Sequence, residues 1–77
     1  MNLMINGENR SFEAPLTLTA LLQLLGMKTD RVAVELNGEI LPRDQWAAHR
    51  LAEDDRLEIV QFVGGGLATG APPTELN

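Results

Sequence analysis

Asn-Gly occurs twice in this chain, at Asn6-Gly7 and Asn37-Gly38, each time directly after a short apolar run. A type I′ turn needs positive φ at both of its central residues, and Asn followed by Gly adopts those angles at least cost. Each pair therefore predicts a tight antiparallel hairpin. The first joins residues 1–5 to a return strand over 9–13 that contains Phe12, and Pro15 ends that strand because it has no N–H for the ladder. The second joins residues 32–36 to a short strand over 39–41.

Between the hairpins lies one helical pattern. Thr17 is placed as an N-cap, Leu18, Leu21, Leu22 and Leu25 recur at the spacing of a single apolar stripe, and Gly26 stands where a helix C-cap wants glycine. After the second hairpin, residues 42–49 read as one irregular helical turn with Pro42 at its start and Trp46 facing the core. An acidic turn, Glu53-Asp54-Asp55, precedes the last strand. There Leu57 and Ile59 fall on one face and Glu58, Val60 and Phe62 on the other, since side chains of a strand alternate. The order is two strands, a helix, a strand, a short strand and a final strand, which defines an α+β class with a mixed sheet of four to five strands. For one helix to cover that sheet, the first and last strands lie side by side in the middle and run parallel. The β-grasp is the common solution with this order.

Length and composition set the limits of function. Seventy-seven residues hold one domain, and a domain of this size buries only about 60% of the surface its unfolded chain exposes. With two Phe, one Trp and no Tyr, the core is built from Leu, Val and Ile. The absence of cysteine removes disulfides, zinc-thiolate sites and any thiol nucleophile. No stretch has the pattern of a signal peptide or approaches the ~20 apolar residues of a membrane span, so the cytoplasm is the expected location. Eleven acidic residues against six scattered basic ones give a net charge of −5. Nucleic acid, which requires a basic patch, is not an expected partner, whereas a basic patch on another protein is.

No catalytic constellation is visible. His49 is the only histidine, and no Ser stands with it and an acid as a nucleophile requires. His49 is read as a surface residue of its turn. Glu53, Asp54 and Asp55 lack calcium-loop spacing and are read as a solvated turn. Gly64-Gly65-Gly66 is not a phosphate loop, because no helix and no Lys-Ser/Thr pair follows. What remains is placement: the glycines begin directly off a strand end. Extended, three residues reach roughly 10 Å, and glycine alone lets a peptide enter a narrow pocket without steric conflict. Bringing a carboxylate to the α-phosphate of ATP in another protein's cleft is a chemistry that uses such a tip.

The run Asn37-Gly-Glu-Ile-Leu-Pro-Arg-Asp-Gln-Trp46, followed by Asp54-Asp-Arg-Leu-Glu-Ile-Val-Gln-Phe-Val-Gly-Gly-Gly66, resembles the ThiS family of sulfur carriers in thiamine (thiazole) biosynthesis. The likeness covers residues 1–66. It implies a ubiquitin-like β-grasp domain that is a protein substrate and not an enzyme. Its terminal glycine carboxylate is adenylated by a ThiF-like adenylating enzyme and converted to a thiocarboxylate that serves a ThiG-like thiazole synthase. The carrier binds no cofactor of its own; ATP and magnesium belong to the activating enzyme. By position Gly66 carries the adenylate and then the sulfur, Gly65 completes the diglycine, and Val60, Phe62 and Gly64 meet partners.

One departure from the family pattern follows the glycines. Residues 67–77, with Gly70, Pro72 and Pro73, read as a disordered extension, and while they are attached Gly66 has a peptide bond in place of the free acid. A processing peptidase is therefore an expected partner. Three alternatives share the exposed glycines: a carrier for molybdenum-cofactor or cysteine synthesis, a ubiquitin-like protein modifier, and an interaction module in which residues 64–66 are only a linker.

Overall fold

The computed structural model describes residues 1–62, and within them the chain forms five strands and one α-helix. In chain order these are β1 (Asn2–Ile5), β2 (Glu8–Ser11), α1 (Leu18–Leu24), β3 (Val32–Leu36), β4 (Glu39–Ile40) and β5 (Arg56–Gln61). The sheet order is β2-β1-β5-β3-β4, with β1 and β5 parallel at its centre and every other pair antiparallel. The expected α+β class, the parallel central pair and the single covering helix are all present. The expected extension over 67–77 lies outside the described residues.

Both Asn-Gly pairs turn as their sequence requires, with φ of 49° and 85° at Asn6 and Gly7 and 52° and 89° at Asn37 and Gly38. The return strand of the first hairpin starts one residue earlier than expected and ends at Ser11. Pro15 is not what stops it, since the ladder is closed by Phe12 and Met1, each donating its N–H to the other's carbonyl at 2.8 Å.

Helix α1 is only seven residues long, too short to be stable in water alone, so its ends and its packing hold it. Thr17 caps the start by accepting from the Ala20 N–H at 3.2 Å. At the far end the N–H of Gly26 reaches the Gln23 carbonyl and that of Met27 the Leu22 carbonyl, with Gly26 at φ +75°. This is a Schellman closure, and it depends on a residue that tolerates left-handed backbone. Leu18, Leu21 and Leu22 are fully buried, while Leu25 caps the helix and is only partly buried.

The core lies between α1 and one face of the sheet. Leu3 and Ile5 of β1, Val32 and Val34 of β3, and Leu57 and Ile59 of β5 meet the helix leucines, with Leu16, Trp46 and Leu51 closing the sides. The segment after β4 makes a short 3-10 turn over Arg43–Gln45, as the irregular helical turn was expected to do, and Trp46 is 3% exposed. This segment also completes the helix start: Leu18 and Thr19 donate their N–H groups to the His49 and Trp46 carbonyls, which satisfies two donors that no helix can satisfy internally. His49 is half-buried in this turn.

Candidate functional site

The candidate site is the far end of β5, and its geometry begins with how that strand is held. On one side β1 pairs with it through only two registered residues, Met4 with Arg56 and Ile5 with Leu57. Asn6 then substitutes for a third rung. Its side-chain carbonyl accepts from the Ile59 N–H at 2.7 Å and its amide donates to the Ile59 carbonyl at 3.1 Å. On the other side β3 runs antiparallel over five residues, from Leu36 opposite Leu57 to Val32 opposite Gln61. There Asn37 does a similar job: it accepts from the Arg56 N–H at 2.9 Å, and its amide donates to Asp55 Oδ1 at 3.0 Å. The two turn asparagines thus grip the central strand from both edges. The last rung is the Phe62 N–H donating to the Arg31 carbonyl at 2.7 Å.

Alternation along this rigid strand sorts its side chains. Leu57 and Ile59 are buried under α1, whereas Glu58 is exposed and Val60 half-buried on the opposite, uncovered face, and Phe62, one residue past the strand, is half-buried. Neither Val60 nor Phe62 belongs to the core cluster or to the partly buried side chains packed on it. Register places Ala33 beside Val60, Glu35 beside Glu58, and Ile40 beyond Glu35. The other proposed site residues, Gly64, Gly65 and Gly66, lie outside the described residues.

The segment that looked most like a functional signature in the sequence turns out to hold the fold together. Arg43 lies over the Trp46 ring, its guanidinium carbon 4.9 Å from the ring centre, and donates to the Val32 carbonyl at 3.3 Å. Trp46 Nε1 donates to the Leu41 carbonyl at 2.8 Å. The acidic turn is structural too. Glu53 accepts from the Asn2 backbone and side-chain amides, Asp55 accepts from the Ala52 N–H at 2.8 Å, and Asp54 takes a φ of 70°. Among the described residues no helix is long and apolar enough to cross a membrane.

A mixed sheet with a parallel centre and hairpins at both flanks, covered by a single helix, is a β-grasp domain of the ubiquitin-like class. Comparison with known proteins narrows this further: residues 3–66 match the ThiS family, and the chain belongs to it. A crystal structure of the thiamine biosynthesis protein ThiS from Geobacter metallireducens superposes with a TM-score of 0.73 at 38% identity, covering 86% of this chain and all of that one. The sulfur carrier protein ThiS of Escherichia coli K12 is 30% identical over 66 residues, 86% of this chain and its own full length. A thiazole synthase of Paramagnetospirillum magneticum is 50% identical over the same length, but the chain spans only 20% of that relative.

Proposed function

We propose that this chain is a sulfur carrier of thiazole synthesis in the thiamine pathway, and that it acts as a protein substrate. Its Gly66 carboxylate is adenylated: a carboxylate oxygen attacks the α-phosphorus of ATP, pyrophosphate leaves, and hydrosulfide then attacks the acyl carbon, expels AMP and loses its proton to leave a thiocarboxylate. Gly65 and Gly64 give the tip the slenderness to enter the nucleotide pocket of the adenylating enzyme. The observation that carries this reading is that family membership runs through the glycines, ending at Gly66. A 50% identical stretch inside a thiazole synthase supports thiazole synthesis over the molybdenum-cofactor and cysteine branches, and a ThiG-like synthase as the acceptor.

Leu67 follows Gly66 in this sequence, so a peptidase that cleaves after Gly66 acts before adenylation. The test takes a form of the chain ending at Gly66, ATP, magnesium and a ThiF-like adenylating enzyme, and follows intact mass. The acyl adenylate, and with a sulfur donor the exchange of one carboxylate oxygen for sulfur, are the expected products. An unmodified mass under conditions where the enzyme adenylates its own established carrier refutes the assignment.

A further inference from the structure

The two Asn-Gly turns that shape the hairpins carry a chemistry of their own. When the backbone nitrogen of the glycine attacks the side-chain carbonyl carbon of the asparagine, ammonia leaves and a cyclic succinimide forms. Water then opens the ring to aspartate or isoaspartate. Asparagine lability of this kind is chemical and needs no enzyme. Glycine opposes the attack with the least bulk, and a Cβ at Gly7 or Gly38 would meet nothing within 4 Å, so the ring has room to form. Neither glycine N–H donates to a backbone carbonyl among the described residues. What holds each asparagine back is its own amide, which must leave its hydrogen bonds before the carbonyl carbon can turn toward that nitrogen.

The two amides are held differently. Asn6 is bonded to the Ile59 N–H and carbonyl, and both contacts are half-buried. Asn37 is exposed, and its contacts to the Arg56 N–H and to Asp55 Oδ1 are open to water, which replaces them at little cost. We propose that Asn37 is a site of spontaneous deamidation, and that the change loosens the start of β5 as the molecule ages. Base removes the Gly38 N–H proton, the nitrogen closes the ring on Cγ while ammonia leaves with a proton from water, and one further water hydrolyses the ring. The product sits where it does harm. A carboxylate replaces the amide that donated to Asp55 Oδ1, and Asp55 cannot turn away freely, because its other oxygen accepts from the Ala52 N–H at 2.8 Å. An attraction beside the first residue of β5 becomes a repulsion between two carboxylates. The isoaspartate form adds a methylene to the backbone of a two-residue turn and undoes the hairpin geometry directly.

The test incubates the full chain, folded, in mildly alkaline buffer and follows each turn by mass spectrometry of its peptides, with the chain in guanidinium chloride as the unfolded reference. In the folded chain the peptide containing Asn37 is expected to show the amide-to-acid mass change about tenfold faster than the one containing Asn6, because its local opening is easier. In the denatured chain the two rates are expected to converge. Asn37→Asp, which reproduces one product, is expected to unfold at a lower temperature than the wild type. Adding Asp55→Asn returns an amide opposite the new carboxylate and is expected to recover most of that loss. Equal conversion of the two turns in the folded chain, or faster conversion at Asn6, overturns the assignment of the site. An Asn37→Asp variant as stable as the wild type, or one that Asp55→Asn does not rescue, overturns the consequence for β5.

Discussion

The two faces of the sheet are made by the same strands and have opposite characters. Toward α1, the strands β1, β3 and β5 present Leu3, Ile5, Val32, Val34, Leu57 and Ile59, none more than 6% exposed. Away from it, the intervening residues are Met4, Ala33, Glu35, Arg56, Glu58 and Val60, and none is buried. Period-two alternation produces both sets from one backbone. The lesson is a division of labour: one face holds the chain folded, which leaves the composition of the other free to answer to partners.

Equal truncations on the two faces test this division most sharply. Leu57→Ala removes a fully buried side chain against α1 and is expected to cost about 2–5 kcal/mol, enough to leave a domain this small largely unfolded. Val60→Ala, three residues along, is expected to cost under about 1 kcal/mol. Urea denaturation followed by far-UV circular dichroism measures both, and similar losses at the two positions would erase the distinction between the faces.

The next effect concerns what keeps the faces in register. Asn6→Ala leaves the Ile59 N–H and carbonyl without their partner, and each unsatisfied group carries a penalty of about 1–3 kcal/mol when shielded from water. The expected loss is about 1–3 kcal/mol, with an added contribution because alanine resists the positive φ at this position. Asn6→Gly separates the two, since glycine accepts the angle but not the hydrogen bonds. If Asn6→Gly is as stable as wild type, the asparagine serves only the turn. Arg43→Ala comes next, at about 1–2 kcal/mol, for the loss of stacking on Trp46 and one hydrogen bond to Val32.

The frame of the fold was legible because it rests on local rules: the two Asn-Gly turns, the leucine stripe from Leu18, the Thr17 cap and the Gly26 closure each need only neighbours in sequence. The outer position of Val60 followed from alternation alone. What could not be read depends on register between distant strands. Nothing near Glu35 announces that Glu58 stands opposite it, and nothing near Asn6 or Asn37 shows that their side chains reach β5 some 53 and 19 residues away. The Asn-Gly pair announces its backbone angles, whereas the contacts of its side-chain amide depend on a strand distant in sequence. Arg43 and Trp46 were legible as a family signature but not as a stacked pair, because stacking is settled by the fold around them.

The smallest expected effect on stability is the most informative about function. Phe62 lies outside the core cluster, one residue past the end of β5, and its backbone is tied to Arg31 regardless of its side chain. Phe62→Asp is therefore expected to shift unfolding by no more than about 0.5 kcal/mol, as surface substitutions usually do. If the outer face is where the adenylating enzyme rests, placing a carboxylate there desolvates a charge against an apolar contact, and adenylation slows even though the glycine tip is unchanged. Measured together, an intact fold with a slowed reaction assigns Phe62 to the partner. An unchanged rate removes it from the interface and leaves recognition to the rest of the domain. A large loss of stability would place Phe62 on the folding side of the division, and the boundary between the two faces would have to be redrawn before the end of β5.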